Sequence, residues 1–437
     1  MSLSIPVAPF AGDSDFPTQT EIVVIGGGII GMMTALTLAE RGVPVVLCEK
    51  GVISGEQSAR NWGWVRQLGR DEAEIPLSIA ARDLWQGMNA RIGAETGFRT
   101  TGISYLCHDR ADLDNWGMWQ AKGRAAGISA RMLSASEAEA LLPGAAPGLL
   151  GALYCPDDGR AEPWLAVPAM AQAARRHGAK IMTQCAVRTV ETAAGRVSGV
   201  MTERGPIACS QVVLAGGIWS RLFAGNLGID FPQLKVIGTV ARVTGVSGLS
   251  DMPVGASHFA YRKRLDGDFS IALRNANITP ILPDNFRLMR EYLPSLLTSW
   301  RELRLRIGPD FLRDLRQPRH WGADDPTVFE QVRTLDPAPH DGFLRTAMEN
   351  LRRAFPAFAQ GRIVQKWAGV MDVTPDAIPV ASQIATLPGF HIASGCSGHG
   401  FGIGPAMGQL MADLVMGTTP IVDPKSLSIG RLRPALA

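Results

Sequence analysis

Residues 21–49 read EIVVIGGGIIGMMTALTLAERGVPVVLCE. The apolar run over 21–25 predicts a short strand that is buried on both faces. A glycine-rich turn follows, and helical periodicity then extends over 29–41 and stops at Gly42, a residue type that commonly ends helices. A second strand is predicted over 43–49. The stretch therefore predicts a strand–turn–helix–strand unit of an α/β fold.

The turn carries three glycines, Gly26, Gly28 and Gly31, at GxGxxG spacing. The first allows the tight turn, the second lets the backbone approach a pyrophosphate, and the third lets helix and strand pack closely. The helix N-terminus offers free N–H groups and a partial positive charge to phosphates. Glu49 ends the second strand, where its carboxylate can accept hydrogen bonds from an adenosine ribose. A glycine turn that binds nothing is the alternative, but the complete context favours a dinucleotide, either NAD or FAD.

The composition narrows the class of protein. The 437 residues are 46% hydrophobic and 19% charged, which suits two or three globular domains or two interleaved ones. A formal charge of +3, evenly spread, does not indicate a nucleic-acid partner. The apolar runs have strand length, so no transmembrane segment is predicted, and no signal peptide is recognisable. Six scattered cysteines favour reduced thiols in the cytoplasm, and no metal site is predicted.

Three distant segments extend the pattern. QVVLAGGIWS (211–220) predicts a buried strand that runs into small residues, which are needed where a backbone passes close to a cofactor. WAGVMDVTPD (367–376) predicts a strand that ends in a turn. GFHIASGCSGHGFGIGPAMGQLMADLVMG (389–417) predicts a strand, a flexible turn and a helix that starts at Pro405. That helix would aim its positive end at whatever the glycines hold.

In this order, GxGxxG with Glu49, AGGIWS, WAGVMDVTPD and SGHGFGIGP resemble the D-amino-acid oxidase superfamily. Within it, the chain is similar to the branch of sarcosine oxidases, pipecolate oxidases and amino-acid dehydrogenases. SGHGF and the closing SLSIGRLRPAL are similar to monomeric sarcosine oxidases, and MDVTPD is similar to their multi-subunit relatives. The resemblance covers nearly the whole chain, although 95–150 and 225–350 match only in outline.

The resemblance implies an α/β fold in which a two-dinucleotide-binding (Rossmann-like) FAD domain is joined to a smaller substrate domain with a mixed sheet. The FAD-binding domain is predicted to be discontinuous, over residues 1–90, 151–225 and 361–437. The substrate-binding domain is predicted over residues 91–150 and 226–360.

The resemblance implies where the stretch SARNWGWVRQLGR (58–70) lies in the fold. In this superfamily the segment wraps the pyrophosphate and then passes along the flavin, which implies that Arg60 neutralises phosphate charge. A basic surface loop is the alternative. The predicted FAD contacts are Gly26, Gly28, Ile29, Ile30, Gly31, Glu49, Lys50, Ser58, Arg60, Asn61, Trp62, Val187, Gly216, Gly217, Trp219, Gly398, His399, Gly400, Phe401 and Gly402.

Four departures from the family concern the substrate and the flavin. Met371 stands where amino-acid oxidases commonly carry an arginine, and Gly402 stands where sarcosine oxidases have a lysine for the substrate carboxylate. Ala272 is the nearest match to their oxygen-activating lysine, which favours a dehydrogenase over an oxidase. Gly369 stands near the cysteine that carries covalent flavin, so FAD is predicted to be bound noncovalently.

A replacement for the missing carboxylate clamp must come from Arg66, Arg262, Arg274 or Tyr261. An anchoring role for Arg66 and a structural salt bridge stay open as alternatives. His399 would adjust the flavin potential or else be a structural histidine. The predicted catalytic residues are Arg66, His399, Tyr261 and Arg274.

The resemblance implies an FAD-dependent oxidoreductase that oxidises the C–N bond of an amino acid or of a secondary or N-substituted amine. Hydride transfer to flavin N5 would give an imine that water hydrolyses. The electron acceptor stays open between oxygen, a quinone and a partner flavoprotein. Two other hypotheses also stay open: a flavoprotein subunit that relays electrons within a larger complex without its own amine substrate, and an NAD-dependent dehydrogenase that uses only the first motif.

The stretch 286–321 contains eight arginines and alternates apolar with charged residues at helical spacing. A helix on a membrane surface has such a pattern. Its four acidic residues and the helix-breaking Pro294 and Pro309 favour ordinary amphipathic helices instead. The predicted location is therefore cytoplasmic, with a peripheral position at the inner membrane face as the alternative.

Overall fold

The computed structural model describes residues 5–299 and 302–437. Its strands are, in chain order, β1 Ile22–Ile25, β2 Val45–Cys48, β3 Trp64–Val65, β4 Arg99–Thr100, β5 Ile103–Cys107, β6 Arg131–Ser134, β7 Gly151–Cys155, β8 Gly159–Arg160, β9 Lys180–Met182, β10 Val187–Ala193, β11 Arg196–Thr202, β12 Gly205–Ala208, β13 Gln211–Leu214, β14 Leu234–Thr244, β15 Val254–Ala256, β16 Phe259–Lys263, β17 Phe269–Ala272, β18 Asn277–Pro280, β19 Leu303–Arg306, β20 Arg362–Val373, β21 Val380–Gln383 and β22 Phe390–Ser394. Its α-helices are α1 Ile29–Glu40, α2 Gln57–Arg60, α3 Ile75–Ile92, α4 Arg110–Ala125, α5 Ala135–Leu141, α6 Pro163–Arg176, α7 Ser220–Asn226, α8 Pro283–Arg287, α9 Met289–Ser299, α10 Asp310–Arg316, α11 Val328–Gln331, α12 Asp341–Ala354 and α13 Gly400–Met416.

A six-stranded sheet connects the glycine-rich motifs, in the order β21-β22-β13-β1-β2-β9. All neighbouring pairs are parallel except β21 and β22. β1 reads IVVI and is fully buried, as expected for a central parallel strand covered on both faces. The carboxyl ends of β1, β2, β13 and β22 lie at one edge of the sheet, where the chain continues into the GxGxxG turn, Glu49, AGG and SGCSGHG.

Two hydrophobic cores cover the two faces of this sheet, because successive side chains of a strand alternate between the faces. Ile22 and Val24 pack in the core that contains α1, α3, α6 and α13, and Val23 and Ile25 pack in the other. Every residue of α1 except Glu40 is buried. Within the described ranges, each helix is too short or too polar to span a bilayer.

The second large sheet is mixed and has ten strands. Nine of them follow the order β19-β18-β14-β17-β16-β15-β5-β7-β6, and the tenth, β20, pairs with β14 outside this path. The β14–β20 pair is antiparallel and extends from Leu234 opposite Val373 to Thr244 opposite Arg362. Val370 and Asp372 line one cavity, whereas Met371 and Val373 line a second cavity. Strand β20 therefore separates the two cavities.

The predicted α/β fold, with a parallel sheet behind the glycine motifs and a second mixed sheet, is confirmed. The predicted domain boundaries differ from the sheets at β7 and β20, which they assign to the FAD-binding domain although both strands lie in the mixed sheet. The boundaries differ because β7 pairs with β5 and β20 pairs with β14, and the local sequence of a strand does not reveal such long-range partners. The division into two domains stays a prediction.

Candidate active site

The GxGxxG turn has the close contacts that require glycine. Gly26 has φ +111°, and a Cβ there would lie 2.5 Å from the Ala215 carbonyl oxygen. A Cβ on Gly31 would collide with the carbonyl oxygen of Gly26, so only glycine lets α1 pack this closely on β1. Gly28 directly precedes α1, and a Cβ there would lie 3.0 Å from Ser58 Oγ.

One cavity, which we call the first cavity, runs along the carboxyl edge of the parallel sheet from Val187 and Glu49 to Phe401. Most of the predicted FAD contacts line it: Gly26, Gly28, Ile29, Ile30, Glu49, Lys50, Ser58, Asn61, Val187, Gly216, Gly217, Trp219, Gly398, Gly400 and Phe401. The N-terminal and C-terminal glycine motifs thus share one cleft. Gly31 lies beneath it, and Arg60, Trp62, His399 and Gly402 line the second cavity instead.

Glu49 closes the turn. Its Oε2 accepts a hydrogen bond from the Gly27 N–H at 2.7 Å, and its Oε1 accepts one from the Gly51 N–H at 2.7 Å. Burial raises the pKa of the Glu49 carboxyl, although Lys50 and these two N–H groups act in the opposite direction. The remaining lone pairs of the carboxylate are available to a ribose hydroxyl.

The start of α1 is capped from a distance. The Ile29 N–H donates a hydrogen bond to Ser58 Oγ at 2.9 Å. This contact attaches the stretch 58–70 to the helix N-terminus, so the predicted proximity of Ser58 to the phosphate-binding turn has a structural basis.

Glu56 connects three separate segments at the wall of the first cavity. It accepts hydrogen bonds from Lys50 Nζ at 2.8 Å, from Trp219 Nε1 at 3.0 Å and from the Leu335 N–H at 3.0 Å. No local motif in the sequence marks Glu56, and two of its partners lie 163 and 279 residues away, so this residue was not predicted.

Arg60 differs from its prediction. Its side chain is buried, pairs with Asp336 at 2.5 Å and donates to the carbonyl oxygens of Ala368 at 2.9 Å and Gly55 at 3.2 Å. It lines the second cavity rather than the first. A carboxylate of the protein therefore compensates the charge that was assigned to a phosphate.

Asp372 organises the C-terminal glycine turn. Its Oδ2 accepts hydrogen bonds from the Gly395 N–H at 2.6 Å, from Ser394 Oγ at 3.1 Å and from the Cys396 N–H at 3.3 Å. Burial raises the pKa of this carboxyl, while these hydrogen bonds act against the rise. The acid of MDVTPD thus holds the turn that precedes α13.

The second cavity has a volume of about 580 Å³, within the range of small-molecule sites. Gln57, Asn61, Gly398 and Phe401 line both cavities, so the two adjoin. A molecule in the second cavity would therefore contact the end of the first cavity that Phe401 and the SGHGF turn form.

Arg66 and Arg274 line the second cavity beside Tyr105. Their guanidinium carbons lie 6.0 Å and 4.3 Å from the centre of the Tyr105 ring. Arg66 donates to the Leu68 carbonyl oxygen and Arg274 to that of Ala256, at 3.3 Å. Burial lowers the pKa of Arg274, and the charge of Arg66 lowers it further. Neither arginine forms an ion pair with any described residue, which leaves both cations available to an anion.

His399 precedes α13 and lines the second cavity. Its Nδ1 lies 3.0 Å from Glu74 Oε2, and the Arg70 guanidinium lies 3.5 Å from Glu74 Oε1. Burial opposes ionisation of Glu74, but His399 and Arg70 outweigh it and lower the pKa of Glu74 to about 2. Burial lowers the pKa of His399 despite the adjacent carboxylate. Arg70 and Glu74 are not among the predicted site residues, although their i, i+4 spacing is a signal visible in the sequence.

Tyr261 and Arg262 do not contribute to either cavity. Tyr261 packs against Phe269, Phe355 and Phe358 in a hydrophobic core, where burial raises the pKa of its hydroxyl. Arg262 is buried and paired with Glu162 at 2.7 Å. The structure therefore removes both from the candidate clamp and from the candidate catalytic residues, leaving Arg66 and Arg274.

A side chain at either of two glycines that depart from the family, Gly402 and Gly369, would require its neighbours to shift. A Cβ on Gly402 would lie 3.1 Å from the Trp64 carbonyl oxygen and 3.5 Å from the Arg70 guanidinium. A Cβ on Gly369 would collide with Gln57 Oε1.

Among residues 5–299 and 302–437, no three His, Cys, Asp or Glu side chains converge as metal ligands.

Sequence relatives match nearly all of this chain but different shares of their own length. The sarcosine dehydrogenase of mouse mitochondria is 26% identical over 98% of this chain and 43% of its own length. The glycine oxidase of Pseudomonas putida is 24% identical over 92% of this chain and 96% of its own. The chain therefore spans less than half of the length of the sarcosine dehydrogenases that it matches.

Among solved structures, the L-amino acid deaminase of Proteus myxofaciens in complex with anthranilate is 34% identical, with a TM-score of 0.95 over 99% of this chain and 98% of that one. The L-amino acid deaminase of Proteus vulgaris is 33% identical, with a TM-score of 0.91 over 97% and 99% of the two chains. The family model described as FAD dependent oxidoreductase (DAO) matches residues 21–414. With its glycine motifs gathered in one cleft, the chain belongs to the DAO family of FAD-dependent oxidoreductases.

Proposed function

We propose that the protein oxidises the C–N bond of an amino acid or of a secondary or N-substituted amine, with FAD in the first cavity and the substrate in the second. The observation that carries this proposal is the junction of the two cavities beside two arginines without acidic partners. Sarcosine dehydrogenases, glycine oxidases and L-amino acid deaminases among the relatives support the reaction class.

The residues of the first cavity fit FAD in kind and order. Gly26, Gly28 and the N-terminus of α1 would hold the pyrophosphate, and Glu49 would accept from the ribose. Val187 would face the adenine, and the N-terminus of α13 would point at the isoalloxazine ring. Bound FAD would supply the site that accepts two electrons and a hydrogen from the substrate carbon.

The protein side chains would position and shield the substrate. Arg66 and Arg274 would bind a carboxylate, because guanidinium groups form strong charge-assisted bonds with it. His399, held by Glu74, would lie near the reacting C–N bond. The walls of the second cavity would exclude water until an imine forms, which water then hydrolyses.

We infer that FAD is bound noncovalently, because Gly369 stands near the position of the cysteine that carries covalent flavin in sarcosine oxidases and has no thiol to form the link. Cys48 and Cys396 line the first cavity, and their thiols are the groups that could form a covalent link to a bound flavin. Acid precipitation should release all yellow colour into the supernatant. Colour that stays with the pellet would show a covalent link.

A dehydrogenase is favoured over an oxidase. Ala272, the nearest sequence match to the oxygen-activating lysine, is buried on β17 and lines neither cavity, and no lysine is among the described residues that line the second cavity. The electron acceptor stays open between oxygen, a quinone and a partner flavoprotein. A peripheral position at the inner membrane face is also part of the proposal, and the exposed apolar side chains of segment 286–315 support it. A cytoplasmic location stays a prediction.

An anaerobic panel tests the function. Purified yellow protein is mixed with D- and L-amino acids, N-methyl amino acids, cyclic imino acids and opines, and loss of flavin absorbance is recorded. Bleaching by one class is expected. A preparation that stays colourless after FAD is added would contradict the proposal. Failure of every amine, together with co-purifying chains, would favour the electron-relaying subunit instead.

A further inference from the structure

The second cavity holds two positive charges that the described chain does not compensate. Four arginines line it: Arg60, Arg66, Arg70 and Arg274. Asp336 pairs with the first at 2.5 Å, and Glu74 pairs with the third at 3.5 Å. Neither Arg66 nor Arg274 forms an ion pair with a described residue. Two guanidinium charges therefore remain for a ligand to compensate.

The cavity wall supplies little negative charge of its own. Among the described residues that line it, only Glu302 carries a carboxylate, and its side chain is exposed, so solvent screens its charge. Burial lowers the pKa of Arg274, and the charge of Glu302 does not restore it. A cation that is withdrawn from water without a counter-ion is destabilised, which favours the binding of an anion.

The two guanidinium groups lie against one aromatic platform. The carbon of Arg66 is 6.0 Å and that of Arg274 is 4.3 Å from the centre of the Tyr105 ring. Tyr105 is itself stacked on Trp116, with 4.6 Å between the ring centres. Arg66 follows β3 and Arg274 follows β17, so the two side chains reach the platform from different strands. A single molecule in the cavity can therefore contact both.

Each guanidinium keeps most of its donors free. Nη1 of Arg66 donates to the Leu68 carbonyl oxygen, and Nη1 of Arg274 donates to that of Ala256. The Nε and Nη2 groups of both arginines form no hydrogen bond with a described residue. A guanidinium edge of this kind binds a carboxylate through two parallel hydrogen bonds. Each arginine thus has one carboxylate-binding edge available.

Two further polar groups of this cavity lack a partner. Trp64 and Thr279 line it and are each only 6% exposed, yet Trp64 Nε1 and Thr279 Oγ1 have no hydrogen-bond partner among the described residues. The Trp64 ring lies 5.7 Å from the Tyr105 ring, so the indole belongs to the same end of the cavity as the two arginines. An indole N–H can only donate, and a buried donor needs an acceptor. This end of the cavity therefore calls for a ligand rich in oxygen.

The charge balance distinguishes one carboxylate from two. A monocarboxylate would leave one of the two guanidinium charges uncompensated, and an amine that enters neutral adds no charge. Two carboxylates would match both. The volume of about 580 Å³ also leaves space for a molecule larger than the simplest amino acids.

We propose that the amine substrate is a dicarboxylate, with one carboxylate bound by Arg66 and the other by Arg274. The inference rests on the proposed function and names its substrate class. The two carboxylates lie either on one carbon chain or on the two substituents of the nitrogen.

Calorimetric titration of the holoenzyme tests the inference without turnover. Succinate, glutarate and adipate are each compared with their own monoamide, which has the same shape but one charge less, and none of these ligands has an amine to oxidise. In at least one pair the dicarboxylate should bind at least about tenfold more tightly, from the strength of a second charge-assisted hydrogen bond. Equal affinities within every pair would overturn the inference.

The variants Arg66→Gln and Arg274→Gln show how the carboxylates are shared. Each should weaken dicarboxylate binding by about tenfold and monoamide binding by no more than about twofold, because a single carboxylate can use the arginine that remains. Equal weakening of both ligands would mean that the two arginines hold one carboxylate and would overturn the inference.

Arg110→Gln, on the exposed face of α4, is the matched control and should leave both affinities unchanged. Flavin content and melting temperature report whether each variant is folded. If a glutamine variant loses FAD, Arg66→Lys and Arg274→Lys replace it. They keep the charge but lose the two-bond edge, so the preference for the dicarboxylate should fall by a smaller factor.

Anaerobic bleaching of the flavin separates this inference from the proposed function. Glutamate is compared with glutamine, and iminodiacetate with its monoamide. In at least one pair the dicarboxylate should bleach the flavin at least about tenfold faster at equal low concentration, and the pair that does so shows where the second carboxylate lies. Bleaching by the monocarboxylates with no advantage for either dicarboxylate would overturn the inference and leave the proposed function standing. Dicarboxylate binding through both arginines, with no bleaching by any amine, would support the dicarboxylate site and reject the proposed reaction.

Discussion

Arg66 and Arg274 bring two positive charges to the second cavity, and no described acidic side chain forms an ion pair with either. Replacing Arg66 by alanine should raise the apparent KM for a carboxylate substrate by about tenfold or more, from the strength of a charge-assisted hydrogen bond. Steady-state kinetics with flavin content measured in parallel check this. Arg110→Ala, on the exposed face of α4, is the control and should leave KM unchanged.

An amine without a carboxylate should be insensitive to the loss of Arg66, because it has no group for the guanidinium to bind. An unchanged KM for the carboxylate substrate, at normal flavin content, would dismiss the anchoring role and leave Arg274 as the remaining candidate.

Glu74 links acid stability to the site. Its pKa is about 2 in the folded protein, below its usual value near 4.5, because His399 and Arg70 stabilise the carboxylate against the effect of burial. A lowered pKa contributes stability that is complete above about pH 4.5 and is lost as pH falls towards 2. The contribution is on the order of 3 kcal/mol.

In Glu74→Gln, the free energy of unfolding should therefore be lower than in the unmodified protein at pH 6 to 7, and the difference should shrink between pH 4.5 and 2. Urea unfolding at several pH values measures it. Glu72→Gln, at an exposed position on the same loop, is the control. A difference that does not change with pH would show that Glu74 contributes by packing alone.

Single residues were predictable from sequence where a local spacing reports a local geometry. Gly26, Gly31 and Glu49 are examples, because strand, turn and helix leave few arrangements for them. Arg60 was not, because its partner Asp336 is 276 residues away. The prediction that Tyr261 belongs to the active site was wrong, because the side of the sheet on which Tyr261 lies depends on the pairing of β16 with β15 and β17.

The close packing of α13 on α1 depends on a glycine, Gly408. A Cβ on Gly408 would collide with Met33 and approach the Thr34 backbone nitrogen to 2.8 Å. Gly408→Ala should lower the free energy of unfolding by about 1–3 kcal/mol, because overpacking forces the helices apart. Thermal or urea unfolding of the holoenzyme measures the loss.

Gly117→Ala on α4 is the matched control, since the added Cβ would have no atom within 4 Å beyond its chain neighbours and the backbone of its own helix. It should stabilise the protein by about 0.5–1 kcal/mol through helix propensity. Equal stabilisation by both substitutions would show that α13 can move away from α1 without cost.

The parallel sheet and its helices follow from sequence because buried strands and helical periodicity are local properties. The exposure of the apolar side chains between Phe286 and Leu315 does not follow from sequence, since the spacing in 286–321 fits a helix that covers a core as well as one that faces a lipid surface. Only the placement of α9 at the cavity mouth and the exposure of the apolar side chains of α9 and α10 distinguish these cases.

In the whole molecule, the first and last quarters of the chain meet across one cleft. Gly26 and Gly28 lie on one part of its wall, and Gly398 and Phe401, more than 350 residues later, lie on another. A ligand that contacts both must stabilise the folded chain as a unit, because it binds only when they are together. FAD should therefore raise the melting temperature of the apoprotein, because at 100 times its Kd it adds about 2.7 kcal/mol to the free energy of unfolding.

Thermal melts of apoprotein with FAD, with NAD and without ligand test this at the scale of the fold. FAD should raise the melting temperature and slow proteolysis at both ends of the chain, whereas NAD, which lacks the isoalloxazine that Phe401 and Gly398 would contact, should do neither. Stabilisation by NAD at least equal to that by FAD would mean that only the first motif binds a nucleotide, and the cleft between the two glycine motifs would then need another occupant.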